Sequence, residues 1–506
     1  MEHASRIFLK SSFANLVSAA SNACLLLVVP AMFVRTLTGP EFAVWALVLQ
    51  IAGYTGLLTL GLQDAVGRYI AYHQERGDAA AGRQFFDTAF WLLCLAAAIG
   101  SGTFAVLGLR LASLFPQVPT ALVPFARDML WAIGVTLSVG LPFVAFSGVL
   151  IGLRRNDVVA GVLGTAKIVL TILLGLIAWE FHSLFWLSVC FVTVNGLSYV
   201  ALWAACRRIA GARVHFTMPD GRSLTEVWSY CGTMLVWQIS MLMITGLDVI
   251  IVGRVDFPAL PAYTVSLVPV ALLTGAMPAL FSPLLQVGAS YAARGQESQL
   301  GPLLERSTRL ATIVLAGAAA LLLLFDRELF TAWLGADLAA KAVPILVLVV
   351  IGHALRQIAF PYTTLLLSTN QHRQLVMSPI VEGLANVLVA VVAGRVFGAL
   401  GVASAVVFGS AVGQLLNYYY NLPRTHDRSF DRRGLVVRSV MVPLLCFVPV
   451  LLWAPISGLA LSEPASAAVR IALLLLSFGL IWRYAVAHEE KHAVVTLLRG
   501  NSRNHA

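Results

Sequence analysis

The sequence predicts an all-α polytopic membrane protein of about fourteen transmembrane helices, and three observations carry that prediction. Only 11% of the 506 residues are charged, whereas 59% are hydrophobic. A water-soluble fold of this length exposes far more charge, so the bilayer has to be the solvent for most of the surface. The apolar residues also fall into runs of about 20 or more, the length that crosses the hydrocarbon core. Finally, the basic residues gather in the short segments between runs, mostly on one side, as topology signals do.

In chain order, the runs place helices near 8–34, 42–67, 84–108, 124–152, 158–178 and 184–206. A second group falls near 227–253, 262–290, 308–330, 342–368, 376–397 and 399–420, and two more near 438–458 and 465–486. The first run follows a basic start without a small-residue cleavage site, so it reads as a retained span rather than a removed signal. With the N-terminus inside, 24 of the 34 basic residues are cytoplasmic, including Arg207, Arg208, Arg213, Arg222 and the 424–438 cluster. Eight lie outside (Arg35, Arg110, Arg127, Arg254, Arg327, Lys341, Arg395 and Arg470), and two, Lys167 and Arg356, lie within spans. This bias places both termini in the cytoplasm and the chain in a bacterial inner membrane. Tryptophans near span ends (Trp45, Trp179, Trp228, Trp333) fit interfacial belts.

The chain repeats itself at an offset of 219 residues. Arg35 recurs as Arg254, Gly56 as Gly275, Tyr72 as Tyr291, Pro142 as Pro361 and Arg154 as Arg373, while Asn195 and Tyr199 match Gln414 and Tyr418. Six spans per unit is an even number, so the two six-helix repeats run parallel, related by an axis along the membrane normal. The expected division is 1–219, 220–437 and a C-terminal pair of helices with a tail over 438–506, the repeats being joined by the basic stretch 207–226.

Several functions are excluded. A net charge of +10 distributed over short loops fits anionic lipid headgroups rather than nucleic acid. The six cysteines, Cys24, Cys94, Cys190, Cys206, Cys231 and Cys446, lie in or beside apolar spans with no Cys-x-x-Cys pair, so they read as packing residues without disulfide or metal. No phosphate-binding Gly-x-x-x-x-Gly-Lys-[Ser/Thr] loop occurs, so ATP is not hydrolysed on this chain. The outer loops, roughly fifteen residues or fewer, leave no room for a large catalytic loop. The expectation is a transporter rather than an enzyme, with no cofactor, driven by a proton or sodium gradient or by a downhill substrate.

Residues 33–48 read FVRTLTGPEFAVWALV, residues 59–71 TLGLQDAVGRYIA and residues 74–78 QERGD. Together with DVIIVGR at 248–254 and Tyr263, they resemble the Wzx-type polysaccharide flippases, the polysaccharide-transport branch of the superfamily that also holds multidrug extruders and the lipid II flippase. Asp64 departs from that pattern. The resemblance implies two six-helix lobes forming a MATE-like V, with two extra helices. It also implies flipping of undecaprenyl-diphosphate-linked oligosaccharide repeat units to the outer leaflet by alternating access, alongside other polysaccharide-assembly proteins. The alternatives are a multidrug or cation antiporter, a lipid II flippase, and a membrane enzyme of polysaccharide assembly. Cations at mid-depth favour an anionic cargo over a cationic drug.

A charge within a span costs at least about 2.5 kcal/mol on insertion scales, so each such residue is a site hypothesis. Lys167, about ten residues into the fifth span, and Arg356, at similar depth in the tenth, are candidate diphosphate counter-ions. Arg356 shares a helical face with His353 and Gln357. The competing reading is that each neutralises a carboxylate, Lys167 pairing with Glu382 or Asp248. Those two acids are candidates for proton exchange. Asp64 and Arg68, spaced i,i+4, read as an ion pair in preference to a cytoplasmic gate. Arg35 and Arg254 either snorkel to outer-leaflet phosphates or form an outer gate. Asn15, Ser18 and Asn22 make a polar stripe on span one for sugar hydroxyls or for neighbouring helices. Pro269, Pro278 and Pro283 predict a bend in span eight, suited to a lateral gate.

Overall fold

A computed structural model of the chain describes residues 2–211, 235–236, 238–369, 371, 377–425, 431–456, 462–487 and 490–491. Every regular element among these residues is helical. Thirteen segments are long and apolar enough to cross a membrane, and the chain is a multi-pass membrane protein.

The first span is α1 (Glu2–Thr36). The second begins as α2 (Gly39–Gly53), where Pro40 occupies the first turn and the Thr38 amide and hydroxyl both donate to the Glu41 carboxylate, at 2.9 and 2.7 Å. That hydrogen bonding satisfies a backbone donor at the helix entrance, and it gives the Thr-Gly-Pro-Glu stretch a structural reason to stand out as a motif. The span then breaks. Tyr54–Thr59 winds as a 3-10 turn, Leu60 and Gly61 take left-handed φ values of 50° and 70°, and α3 (Leu62–Glu75) restarts the helix. The third span is α4 (Ala79–Leu114), started by the Asp78 side chain, which accepts from the Ala81 amide.

The fourth span has two parts, α5 (Val123–Val139) and α6 (Leu141–Gly152), joined at Gly140 ahead of Pro142. The fifth and sixth are α7 (Asn156–Phe181) and α8 (Leu184–Ala210). The side chain of Tyr199 on α8 lies where a Cβ at Gly140 would sit, so the sixth span packs into the joint of the fourth. The seventh span ends as α9 (Leu247–Val255), after a π turn at Leu242–Gly246. The eighth is α10 (Leu260–Ala293), one continuous helix with Pro269, Pro278 and Pro283 inside it. The ninth is α11 (Leu300–Leu324), followed by the short α12 (Asp326–Leu334).

The tenth span repeats the design of the fourth. Here α13 (Ala336–Gln357) and α14 (Phe360–Ser368) meet before Pro361. The Ala359 amide bonds the Arg356 carbonyl rather than that of Leu355, and Gln414 from the twelfth span donates to the freed Leu355 carbonyl at 2.7 Å. Pro142 and Pro361 thus both follow a joint within a span, and each joint is met by a side chain from a later span, Tyr199 at the first and Gln414 at the second.

Next comes α15 (Met377–Leu416), which is interrupted at Gly398, where φ is 58° and ψ −139°. Forty helical residues would run about 60 Å, twice the hydrocarbon thickness, so this segment supplies two crossings. Thirteen segments therefore make the fourteen predicted spans, and the break falls between the predicted runs 376–397 and 399–420. The last two are α16 (Arg432–Ile456) and α17 (Glu463–Leu480).

The described chain forms two compact units. The first comprises Met1–Val268, Trp333–Ala342 and Ala390–Val402; the second comprises Pro269–Ala332, Val343–Val389 and Ala403–Ala506. The core of the first is built on Leu62, Val66, Phe85, Phe86, Leu93, Phe146 and Leu150. The second has one core on Met277, Phe281, Leu304, Leu315 and Tyr362, and another on Leu324, Phe447 and Ile481. Apolar stripes such as Ile168, Ile172 and Leu176 on α7 remain exposed, as a lipid-facing surface requires.

Candidate functional site

In the first unit, α1 and α7 run side by side, with Gly175 against Met32. Lys167 lies near the middle of α7, on a different face from the exposed apolar stripe. Its ammonium donates to the Asn22 amide oxygen on α1 at 3.1 Å. Among the described residues no carboxylate lies within ion-pair distance of Lys167, and Asn22 is exposed. A half-buried lysine at this depth with one neutral partner carries an uncompensated charge and has two further donors for an anion. The side chains of Asn15 and Ser18 fall outside the described residues.

Arg356 has a different environment. Its Nε donates to Glu382 at 2.6 Å, and the two side chains are only 14% and 9% exposed. Nη1 lies 3.2 Å from Nδ1 of the buried His353, while Nη2 is buried without a hydrogen-bond partner. The pocket for the Glu382 carboxylate is opened by Gly413, where a Cβ would collide with it. Gln414 fixes the same turn by donating to the Leu355 and Arg356 carbonyls. Glu382 is therefore the partner of Arg356, which corrects the competing reading that Lys167 pairs with Glu382. The reason is local: α13 ends beside the start of α15, so the guanidinium meets the carboxylate, through Nε alone, within one unit. Gln357 is half-buried at the end of α13 and makes no hydrogen bond with His353 or Arg356.

The remaining candidates are scattered. Asp248 is buried in the first turn of α9, within electrostatic reach of the Tyr54 hydroxyl. Tyr54 and Gln50 both donate to the Gly246 carbonyl at the π turn, Gln50 at 3.2 Å. Sequence reasoning missed both residues; a mid-span glutamine ahead of a Gly-rich break was the available signal. No ion pair joins Asp64 to Arg68, a correction to the expected pairing. Asp64 sits instead in the first turn of α3, where the helix dipole favours a carboxylate, and both side chains are exposed. Arg35 and Arg254 are exposed at the ends of α1 and α9.

A second group also went unrecognised in the sequence. Gln117, in the loop after α4, clasps the chain just beyond α9: its amide nitrogen donates to the Val255 carbonyl at 3.0 Å and its oxygen accepts from the Phe257 amide at 2.9 Å. Between these, the Asp256 carboxylate accepts from the Ala399 amide at 3.0 Å, against Gly398. Trp333 donates to the Leu27 carbonyl at 2.7 Å, and Ser266 to the Ala342 carbonyl at 2.9 Å. All of these contacts lie within the first unit.

No protein-family profile matches the chain, and no curated protein does. Solved structures do. The lipid II flippase MurJ in an inward closed conformation is 12% identical, covering 94% of this chain and 98% of its own, with a TM-score of 0.70. An inward-facing multidrug resistance MATE family transporter of the MOP superfamily is 14% identical over 83% of this chain and 96% of its own, with a TM-score of 0.67. A MOP superfamily transporter from Pyrococcus furiosus, described by the reverse polarity of its binding pocket, is 14% identical over 85% and 96%, with a TM-score of 0.60. The chain has the fold that these MurJ and MATE structures share.

Proposed function

We propose that the chain flips an anionic, polyprenyl-diphosphate-linked oligosaccharide from the cytoplasmic to the outer leaflet of a bacterial inner membrane, supplying surface polysaccharide synthesis. The observation that carries this reading is Lys167, a mid-span ammonium held by Asn22 and left without a carboxylate. Such a group is costly in hydrocarbon, and an anionic cargo such as a diphosphate compensates it. Arg356 is a weaker counter-ion because Glu382 already balances its charge. We assign the diphosphate to Lys167 and Asn22, and give the Arg356–Glu382–His353 cluster a supporting role in the second unit.

The extent of the likeness supports a lipid-linked cargo over a drug. The lipid II flippase covers 94% of this chain, whereas the multidrug transporter covers 83%. In the proposed topology both termini are cytoplasmic, and two parallel six-helix repeats, 1–219 and 220–437, precede the C-terminal part 438–506. The clasp of Gln117 on Val255 and Phe257 then lies on the outer side, where it serves as part of the outer gate, with Arg254 next to Val255 in sequence and Arg35 at the outer end of α1.

The test is export in a flippase-null strain with membrane abundance measured in parallel. Lys167→Gln should abolish export at normal abundance, Lys167→Arg should retain part of it, and Asn22→Ala should lower it. Near-normal export by Lys167→Gln would overturn the assignment.

A further inference from the structure

Six arginines in the described chain lie over aromatic rings, and a carboxylate balances the charge of only two of them. Four belong to the ends of even-numbered spans. Arg76 covers Tyr72 at 4.5 Å at the end of α3, Arg207 covers Trp203 at 5.5 Å at the end of α8, Arg424 covers Tyr420 at 3.5 Å beyond α15, and Arg483 covers Tyr484 at 5.4 Å beyond α17. All four arginines and all four rings are exposed. None of the four guanidiniums has an ion pair among the described residues, although neighbours do: Arg154 pairs with Glu75 and Arg438 with Glu305. The other two stacked arginines, Arg127 over Trp131 and Arg470 over Trp453, lie near the starts of even-numbered spans. Both are neutralised there, Arg127 by Asp128 and Arg470 by Glu328.

Span parity puts the first four on one face of the membrane and the last two on the other. We propose that the four uncompensated arginine–aromatic pairs are docking sites for the headgroups of anionic phospholipids, in the leaflet that meets the ends of the even-numbered spans. The ring lies at the depth where aromatic side chains settle, between acyl chain and headgroup. Stacking covers one face of the guanidinium and leaves edge donors for a phosphate, which they match as a fork; on Arg424 these are Nε and Nη2, since Nη1 donates to the Tyr420 carbonyl at 2.9 Å. A zwitterionic headgroup brings its own cation to the site; an anionic one does not. On the opposite face the protein's own carboxylates already fill that role. This inference concerns the lipid around the chain and is independent of what the chain carries.

The experiment uses the full chain in nanodiscs of phosphatidylcholine mixed with phosphatidylglycerol, with retained lipids counted by native mass spectrometry. A basic side chain near an anionic surface contributes about 1 kcal/mol, so each site should favour phosphatidylglycerol about fivefold. The preference should shrink at high salt. Arg76→Gln, Arg207→Gln, Arg424→Gln and Arg483→Gln should each remove one enriched lipid, and the quadruple variant should retain lipids at the bulk ratio. If the quadruple does not reconstitute, the singles give the same reading. Tyr72→Leu, Trp203→Leu and Tyr420→Leu should also weaken retention; unchanged retention would refute the stacked site, because charge alone would suffice. Arg127→Gln should change nothing, and a loss equal to that of the four would overturn the proposal. So would bulk-ratio retention by the wild type. Stabilisation of the chain by inorganic phosphate in neutral discs, equal to that by phosphatidylglycerol, would identify a free-anion site instead.

Discussion

Replacing Arg356 and Glu382, singly and together, tests whether their contact organises the second unit. The two groups meet at 2.6 Å with 14% and 9% of their side chains exposed. Removing one partner strands the other in a low-dielectric interior, a loss of about 3–5 kcal/mol, whereas removing both leaves two neutral amides and no unpaired charge. Arg356→Gln and Glu382→Gln should therefore each lower stability by that amount, about a hundredfold or more in the folded-to-unfolded ratio, and the double variant should recover most of it. The two singles differ in one respect. A stranded Glu382 can neutralise itself by taking up a proton, but a stranded guanidinium cannot lose one. Arg356→Gln should regain stability as pH falls; Glu382→Gln should not. Graded heating of detergent-solubilised protein, followed by size-exclusion chromatography of the surviving fraction at neutral and acid pH, measures all of this. Additive losses, with the double variant the least stable, would refute the pairing argument.

Three further outcomes are expected. Gln117→Ala should release two hydrogen bonds and raise amide exchange in a peptide containing Phe257, and it should alter transport without lowering abundance; unchanged exchange would remove the clasp from the gate. Gly398→Ala adds a Cβ at a left-handed residue where it meets the Asp256 carboxylate, so it should cost about 1–3 kcal/mol, readable as a lower melting temperature. Burial raises the Asp326 carboxyl above its usual range, against the opposing hydrogen bond from the Arg327 amide and the charges of Arg327 and Arg470. The folded state then binds its proton more tightly than the unfolded state, so this group's unfavourable contribution should fade as pH drops through the acid range. Asp326→Asn should flatten that part of the pH–stability curve.

The fold was legible in the sequence because it depends chiefly on the length of apolar runs, which a single chain displays directly. The fourteen spans followed from that, including the break at Gly398, where Gly-Ala-Leu-Gly separates two runs each just long enough to cross. The site was only partly legible. Lys167 and Arg356 stood out by charge in apolar surroundings, yet their partners depend on helix neighbours with no signature at fixed spacing. Asn22 lies 145 residues from Lys167 and Glu382 lies 26 from Arg356. Asp64 and Arg68 show the converse: i,i+4 spacing permits a pair, but an exposed carboxylate in the first turn of a helix is already favoured by the backbone. Gln117 escaped notice because its partners are backbone groups, which are the same at every residue. The break in span two was missed because it contains no proline; left-handed Leu60 and Gly61 provide it instead.

The first unit is assembled from three stretches, the last of which ends at Val402, long after Val268. A ribosome delivers the chain in order, so the unit's outer contacts cannot all close when its first stretch is complete. Roughly 130 further residues must be made, about 7 to 27 s at ordinary rates of synthesis. The Leu27 carbonyl lacks Trp333 and Ser266 lacks Ala342 for about the first half of that interval, and Asp256 lacks Ala399 for nearly all of it. A nascent chain stalled near residue 300 should consequently be more open to proteases at its Val255–Phe257 segment than one stalled beyond 402. For the same reason, a fragment ending at 268 should not be a stable domain.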